Sequence, residues 1–265
     1  MWWLVAAAGL FFFRGKIAQY GSRFLPSSTP QETAFMGHLI MLGSAIGYVP
    51  LSFLGAGRSL YLISMWSTIV TSLLTIRANY GPPPTPQKLG IAEIKAFMPT
   101  LQPWLQGAMT GPDFPFLFFC LIFVTAYPSI PALLILGRRS LWSVCTYCAK
   151  NTPERRLWKA FSGTWDRLKA KEKEVLAYAA MAEILLAIWM TASLLLPTRQ
   201  LMATFLYWNY LRTRYQVPRS HPLHLQAWTQ LGQHVQPVLT KVPLLNKPLD
   251  MAKGWFAPQY VQQQR

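Results

Sequence analysis

Residues 175–196 read VLAYAAMAEILLAIWMTASLLL, an apolar run whose only ionisable carboxylate is Glu183. At about 1.5 Å per residue, a helix of this length crosses the ~30 Å hydrocarbon core of a bilayer. Ahead of it, residues 150–174 are dense in charge of both signs and read as a solvated, charged cytosolic helix. Behind it, Pro197, Thr198 and Arg199 turn the chain, and a short second arm, LMATFLYWNYL at 201–211, runs into Arg212, Arg214 and Tyr215. Residues 175–215 therefore form a membrane hairpin, and the chain is an all-α integral membrane protein.

The same pattern recurs toward the amino terminus. Residues 35–57 are apolar, with His38 as the one ionisable side chain before the turn, and a second run, 60–76, ends at Arg77. So short a connection makes 35–77 an antiparallel hairpin. Gly43 and Gly47 have the spacing that lets membrane helices approach closely, although glycine is common in such helices anyway. Pro50 should kink the first arm. In 114–149, Tyr127, Pro128 and Pro131 interrupt an apolar stretch. Each proline removes a backbone donor, so a second hairpin with arms near 114–126 and 131–149 is favoured over one kinked span. Arg138 and Arg139 set its later arm obliquely or near the interface.

The remaining segments read as peripheral. Residues 1–34 are an amino-terminal lead-in; its MWWLVAAAGLFFF lacks the basic start and small-residue cleavage site of a signal peptide. Residues 78–113 join a Pro-rich extended linker to an amphipathic, surface-lying segment at 88–109. Residues 216–265 form a basic tail whose Trp228, Trp255 and Phe256 lie among apolar and Lys residues, a pattern suited to helices in the headgroup layer; a partner-binding tail is the alternative.

Charged residues make up 13% of the chain and apolar ones 52%; ordinary soluble domains carry about 25% charge. The net charge of +16 would point to nucleic acid in a soluble protein. Here anionic headgroups are the better partner and no nucleic acid is expected. The three turns hold Arg58 and Arg199, 2 of the 25 basic residues. By the positive-inside rule the turns face the lumen, and both termini face the cytosol.

Enzyme signatures are sparse. Cys145 and Cys148 lack the second ligand pair of a zinc site, and the His221, His224 pair lacks a third ligand. No phosphate-binding glycine loop and no cofactor motif is present. Glu183 is the chemically pointed residue. A carboxylate at that depth costs ~2.5 kcal/mol or more, so it is protonated or paired. It is either a packing contact between helices or the site of a small transporter, channel or channel-modulating subunit. The confident spans contain no second acid, Lys or Arg to form a relay, which favours packing.

Three patches carry a resemblance: Leu121-Ile122-Phe123-Val124 before Tyr127-Pro128; Ala182-Glu183-Ile184-Leu185; and Phe205-Leu206-Tyr207 with Leu211, Arg214, Tyr215 and Arg219. With the order of elements, they resemble the transmembrane protein 33 / fungal pore-membrane protein family over roughly residues 115–220. The resemblance implies a non-enzymatic protein of the endoplasmic reticulum membrane and nuclear envelope. It implies reticulon-type or nuclear-pore partners and a role in tubule architecture. It also implies amphipathic tail helices that bind membrane, and it is compatible with a homo-oligomer. The expectation is a membrane-shaping scaffold: Gly43, Gly47 and Glu183 hold the hairpins, while Tyr207, Arg214, Tyr215, Arg219, Trp228, Trp255 and Phe256 meet headgroups and partners.

Overall fold

The structure is a computed structural model that describes residues 29–84, 91–154, 156–196, 199–216 and 220–241. Most of the lead-in, Arg219, Trp255 and Phe256 lie outside the described residues. The described chain is helical: α1 (Pro30–Phe53), α2 (Arg58–Tyr80), α3 (Ile91–Thr110), α4 (Phe114–Thr125), α5 (Ile130–Asn151), α6 (Arg156–Ala170), α7 (Glu172–Ser193), α8 (Leu201–Gln216) and α9 (His221–Lys241). α1, α2 and α7 are long and apolar enough to cross a membrane. The second half of α3 and α4 meet at 87°, a broken span or a re-entrant loop.

α1 begins earlier than hydropathy alone indicates, because Thr29 and Glu32 form a capping box. Thr29 Oγ1 accepts from the Glu32 N–H at 3.3 Å, and Glu32 Oε2 accepts from the Thr29 N–H at 2.9 Å. The helix continues through Pro50 to Phe53. Gly55, at φ +73°, supplies the left-handed turn that reverses the chain into α2.

The two arms of the first hairpin pack closely. Ser44 and Ser64 hydroxyls lie 2.8 Å apart, and the Tyr48 and Tyr61 rings meet at 5.7 Å. The close approach falls at Gly37, not at the expected Gly43. A Cβ on Gly37 would lie 1.9 Å from Thr71 Oγ1, whereas one on Gly43 would meet nothing within 4 Å. Gly47 is intermediate, with Leu60 at 3.1 Å. The inward stripe of α1 runs through Gly37, Met41, Ser44 and Tyr48, and Gly43 falls on the outer side of it.

The second pair of arms differs from a packed hairpin. The chain breaks between Thr125 and Ile130, around Tyr127 and Pro128, with Pro131 in the first turn of α5. α4 then packs on α2 and α8, and α5 packs on α1 and α7. The stretch read as solvated contains an amphipathic helix: α6 carries Trp158, Phe161, Trp165 and Leu168 on one side, and Trp165 is buried against Trp142 of α5, ring centroids 4.8 Å apart. α9, expected in the headgroup layer, lies along α7 and α8. Its Ala227 is buried with Ala180 and Ile184.

Two hydrogen bonds bring the turns together. Tyr61, in the first turn of α2, donates its hydroxyl to the Phe123 carbonyl near the end of α4, at 3.2 Å. The Tyr127 N–H donates to Gln200 Oε1 at 3.2 Å, joining the second turn to the third. All three turns therefore sit at one end of the bundle. Gly37→Ala should destabilise by about 1–3 kcal/mol through overpacking, while Gly43→Ala should change little; thermal melts of both variants in detergent measure the difference.

A candidate functional site in the buried ionic layer

Apolar helices in lipid gain little from burying apolar surface, so polar contacts between them carry much of the specificity of packing. Here these contacts converge on Glu183, whose side chain is 0% exposed. Three elements supply its partners. Arg214 of α8 donates from Nε to Oε2 at 3.2 Å and from Nη2 to Oε1 at 3.3 Å, a two-pronged pair. His224 of α9 places Nε2 3.1 Å from Oε2 and turns Nδ1 to the Ser220 carbonyl at 3.1 Å. Tyr207 donates its hydroxyl to the Glu183 backbone carbonyl at 3.0 Å.

A second ion pair lies across the bundle. Arg139 of α5 pairs with Asp113, at the start of α4, and donates to Ser72 Oγ of α2 at 3.1 Å. One aromatic ring joins the two pairs. The Arg139 guanidinium stands 4.2 Å from the centroid of Phe116, and that of Arg214 stands 5.7 Å from it, both within cation–π range. Beyond Arg139, His38 Nδ1 lies 3.1 Å from Ser140 Oγ, which brings in α1. Below the layer, Phe119 and Phe123 of α4 meet Tyr207 and Tyr210 of α8 edge to face at 5.4–5.8 Å. The described layer draws on α1, α2, α4, α5, α7, α8 and α9, and within it the Glu183 side chain has no exposed surface.

A family model described as Transmembrane protein 33/Nucleoporin POM33 matches residues 22–245. The chain belongs to that family. A search of curated proteins and one of solved structures give no match. The matched stretch takes in every described helix, so the ionic layer lies wholly inside the part shared with the Transmembrane protein 33/Nucleoporin POM33 family. The family is one of membrane proteins linked by name to the nuclear pore, in keeping with the apolar helices described above.

Within this family member, several residues read from sequence as an outer surface turn inward. Tyr207 is fully buried, because its ring fills the aromatic cluster and its hydroxyl reaches Glu183. Arg214 is held by Glu183, so its charge faces the bundle. Trp228 stacks on Trp208 at 6.5 Å, and the Tyr215 ring lies edge-on to His221 at 4.6 Å. Sequence spacing missed Asp113, Arg139 and His224 as partners, because each approaches from a helix distant in sequence. The signal available was charge balance: Arg138 and Arg139 in an otherwise apolar stretch require counter-charge.

Glu183→Ala leaves Arg214 buried without a counter-ion and should cost about 3–5 kcal/mol. Adding Arg214→Met should restore much of that loss, and His224→Ala alone should cost about 1–3 kcal/mol. Melting temperatures of detergent-purified protein, followed by size-exclusion fluorescence, test all three.

Proposed function

We propose that the protein is a non-enzymatic scaffold of the endoplasmic reticulum and nuclear envelope that favours curved membrane, working with reticulon-type or nuclear-pore membrane partners. The observation that carries this reading is the shape of the apolar surface. With the three turns at one end, the large apolar side chains exposed on α2, α5, α7 and α8 concentrate near that end, from Ile63 to Val70, Ile130 to Leu134, Leu185 to Leu196 and Leu201 to Phe205. On each helix these stretches end within about 18 Å of the turns, at ~1.5 Å per residue. α1 is the exception, its exposed stripe running from Met36 through Ile46 to Leu54; on the other helices the positions further away are Tyr80, Tyr178, and a few on α3, α6 and α9.

On α2, α5, α7 and α8 a belt of that height is closer to one leaflet than to the ~30 Å of a full core. The 12 residues of α4, about 18 Å of helix, fit the same depth. A bundle whose turns stop inside the bilayer, while helices spread at the opposite end, occupies more area in the cytosolic leaflet than in the lumenal one. The bilayer relieves that imbalance by bending toward the cytosol. The ionic layer serves as the brace that keeps the wedge from splaying. Partnership with reticulon-type or nuclear-pore proteins rests on the family alone. The other reading, transport through Glu183, has no supporting observation, since Arg214, His224 and the surrounding rings close the carboxylate off.

Two measurements test the wedge. Purified protein reconstituted at low density should enrich in the more curved of two vesicle populations and narrow flat membranes; equal partition with no change of shape would sink the mechanism. In microsomes, single cysteines at Ser59, Ser129 and Thr198 should resist labelling from both sides, while those at Ser162 and Gln262 should label from the cytosol. Lumenal labelling of the three turns would instead describe a conventional spanning bundle.

A further inference from the structure

α5 carries two adjacent arginines in different surroundings. Arg139 turns inward to Asp113, Ser72 and the Phe116 ring. Arg138 is half-buried, and its Nε is closed off with no hydrogen-bond partner. Its terminal nitrogens form no hydrogen bond or ion pair with the described residues either, and they are not among the buried atoms. Within the layer, Arg138, Arg139 and Arg214 stand against Asp113 and Glu183, leaving one cation in excess before the histidines are considered.

The setting of Arg138 on α5 indicates what can balance it. One turn back on the same face, Leu134 is 68% exposed, so the apolar belt reaches to the residue beneath. One turn ahead, Trp142 meets Trp165, which lays α6 over this end of α5 with Lys159, Arg167 and Lys169 exposed. Glu183 is the carboxylate nearest in effect to Arg138, but it is held by Arg214 and makes no hydrogen bond or ion pair with Arg138, so a guanidinium without a partner of its own sits where apolar surface gives way to basic surface. That boundary is the one a phospholipid makes between acyl chain and phosphate, and guanidinium matches phosphate in geometry as well as charge.

We propose that Arg138 binds the phosphate of an anionic phospholipid of the cytosolic leaflet, whose acyl chains descend past Leu134. This site rests on the wedge reading. Arg138 lies about 12 Å along α5 from the turn end, close to the ~15 Å hydrocarbon depth of a single leaflet. With turns held inside the bilayer, the guanidinium reaches the headgroups. The bound phosphate neutralises the excess cation and fixes a lipid between α5 and the overlying α6, so the scaffold is selective for anionic membrane.

The test uses the full chain, purified in mild detergent with equal phosphatidylserine and phosphatidylcholine, with retained lipid measured by mass spectrometry. Wild type should hold phosphatidylserine in preference to phosphatidylcholine. Arg138→Gln should lower retained phosphatidylserine roughly five- to tenfold, with an unchanged melting profile in lipid-free detergent. Arg138→Lys keeps the charge and should keep part of the preference, which separates lipid binding from folding if the glutamine variant aggregates. Equal retention by Arg138→Gln, or no preference in wild type, overturns the site. Stabilisation of wild type but not Arg138→Gln by inorganic phosphate alone, with no lipid preference, would make it a free-anion site and also overturn the assignment. Labelling of Ser129→Cys tells the two failures apart. Lumenal labelling removes the wedge and the site with it; a shielded Ser129→Cys with no lipid preference removes the site alone.

Discussion

A buried carboxylate in a lipid-embedded bundle must be given partners, and that requirement organises this protein. Isolated in hydrocarbon, Glu183 would be costly to ionise. Held by Arg214, His224 and, through its backbone carbonyl, Tyr207, it fixes the relative placement of α7, α8 and α9. The apolar surfaces of these helices would tolerate many rotations and slides against one another, because lipid covers leftover surface as readily as protein does. A two-pronged guanidinium contact does not tolerate them. Uniqueness of packing here comes from charge, and the rings around it supply shape.

Phe116 extends that constraint across the bundle. By facing both Arg139 and Arg214, it links two ion pairs that would otherwise be independent. Ser72 and Ser140 then carry the network to α2 and α1 through hydroxyls that cost little to bury once bonded. The short α4 is the keystone. Its start supplies Asp113 and Phe116, its middle supplies the aromatic contacts to α8, and the Phe123 carbonyl near its end anchors Tyr61. A helix of 12 residues can hold this position because neighbours grip it at both ends.

The hydropathy of residues 175–196, the break at Pro128 and the reversals near Gly55 and Pro197 made the all-helical membrane class legible from sequence alone. The inward faces were harder to read. Gly43 and Gly47 have the spacing of a packing motif, yet Gly37 is at the contact, because the face that packs on α2 is the one through Gly37, Met41, Ser44 and Tyr48. The amphipathic pattern of α6 was in the sequence, masked by the surrounding charges. Glu183 stood out because it breaks an apolar run. Arg214 reads from sequence as an interface residue and His224 as half of an incomplete metal pair, and their pairing with Glu183 shows only through contacts 31 and 41 residues away. Long-range pairing of this kind leaves no local period to detect.

The separation has a consequence for how the chain is made. Synthesis delivers Glu183 first, Arg214 31 residues later, and His224 later still. During that interval α7 leaves the insertion machinery with its carboxylate uncompensated, and α8 arrives too short and too polar to enter lipid firmly unaided. The cluster is therefore complete only when all three helices are present. A chain stalled or cut before residue 224 carries an incompletely satisfied acid in its membrane segment, the sort of defect that membrane quality control is equipped to recognise.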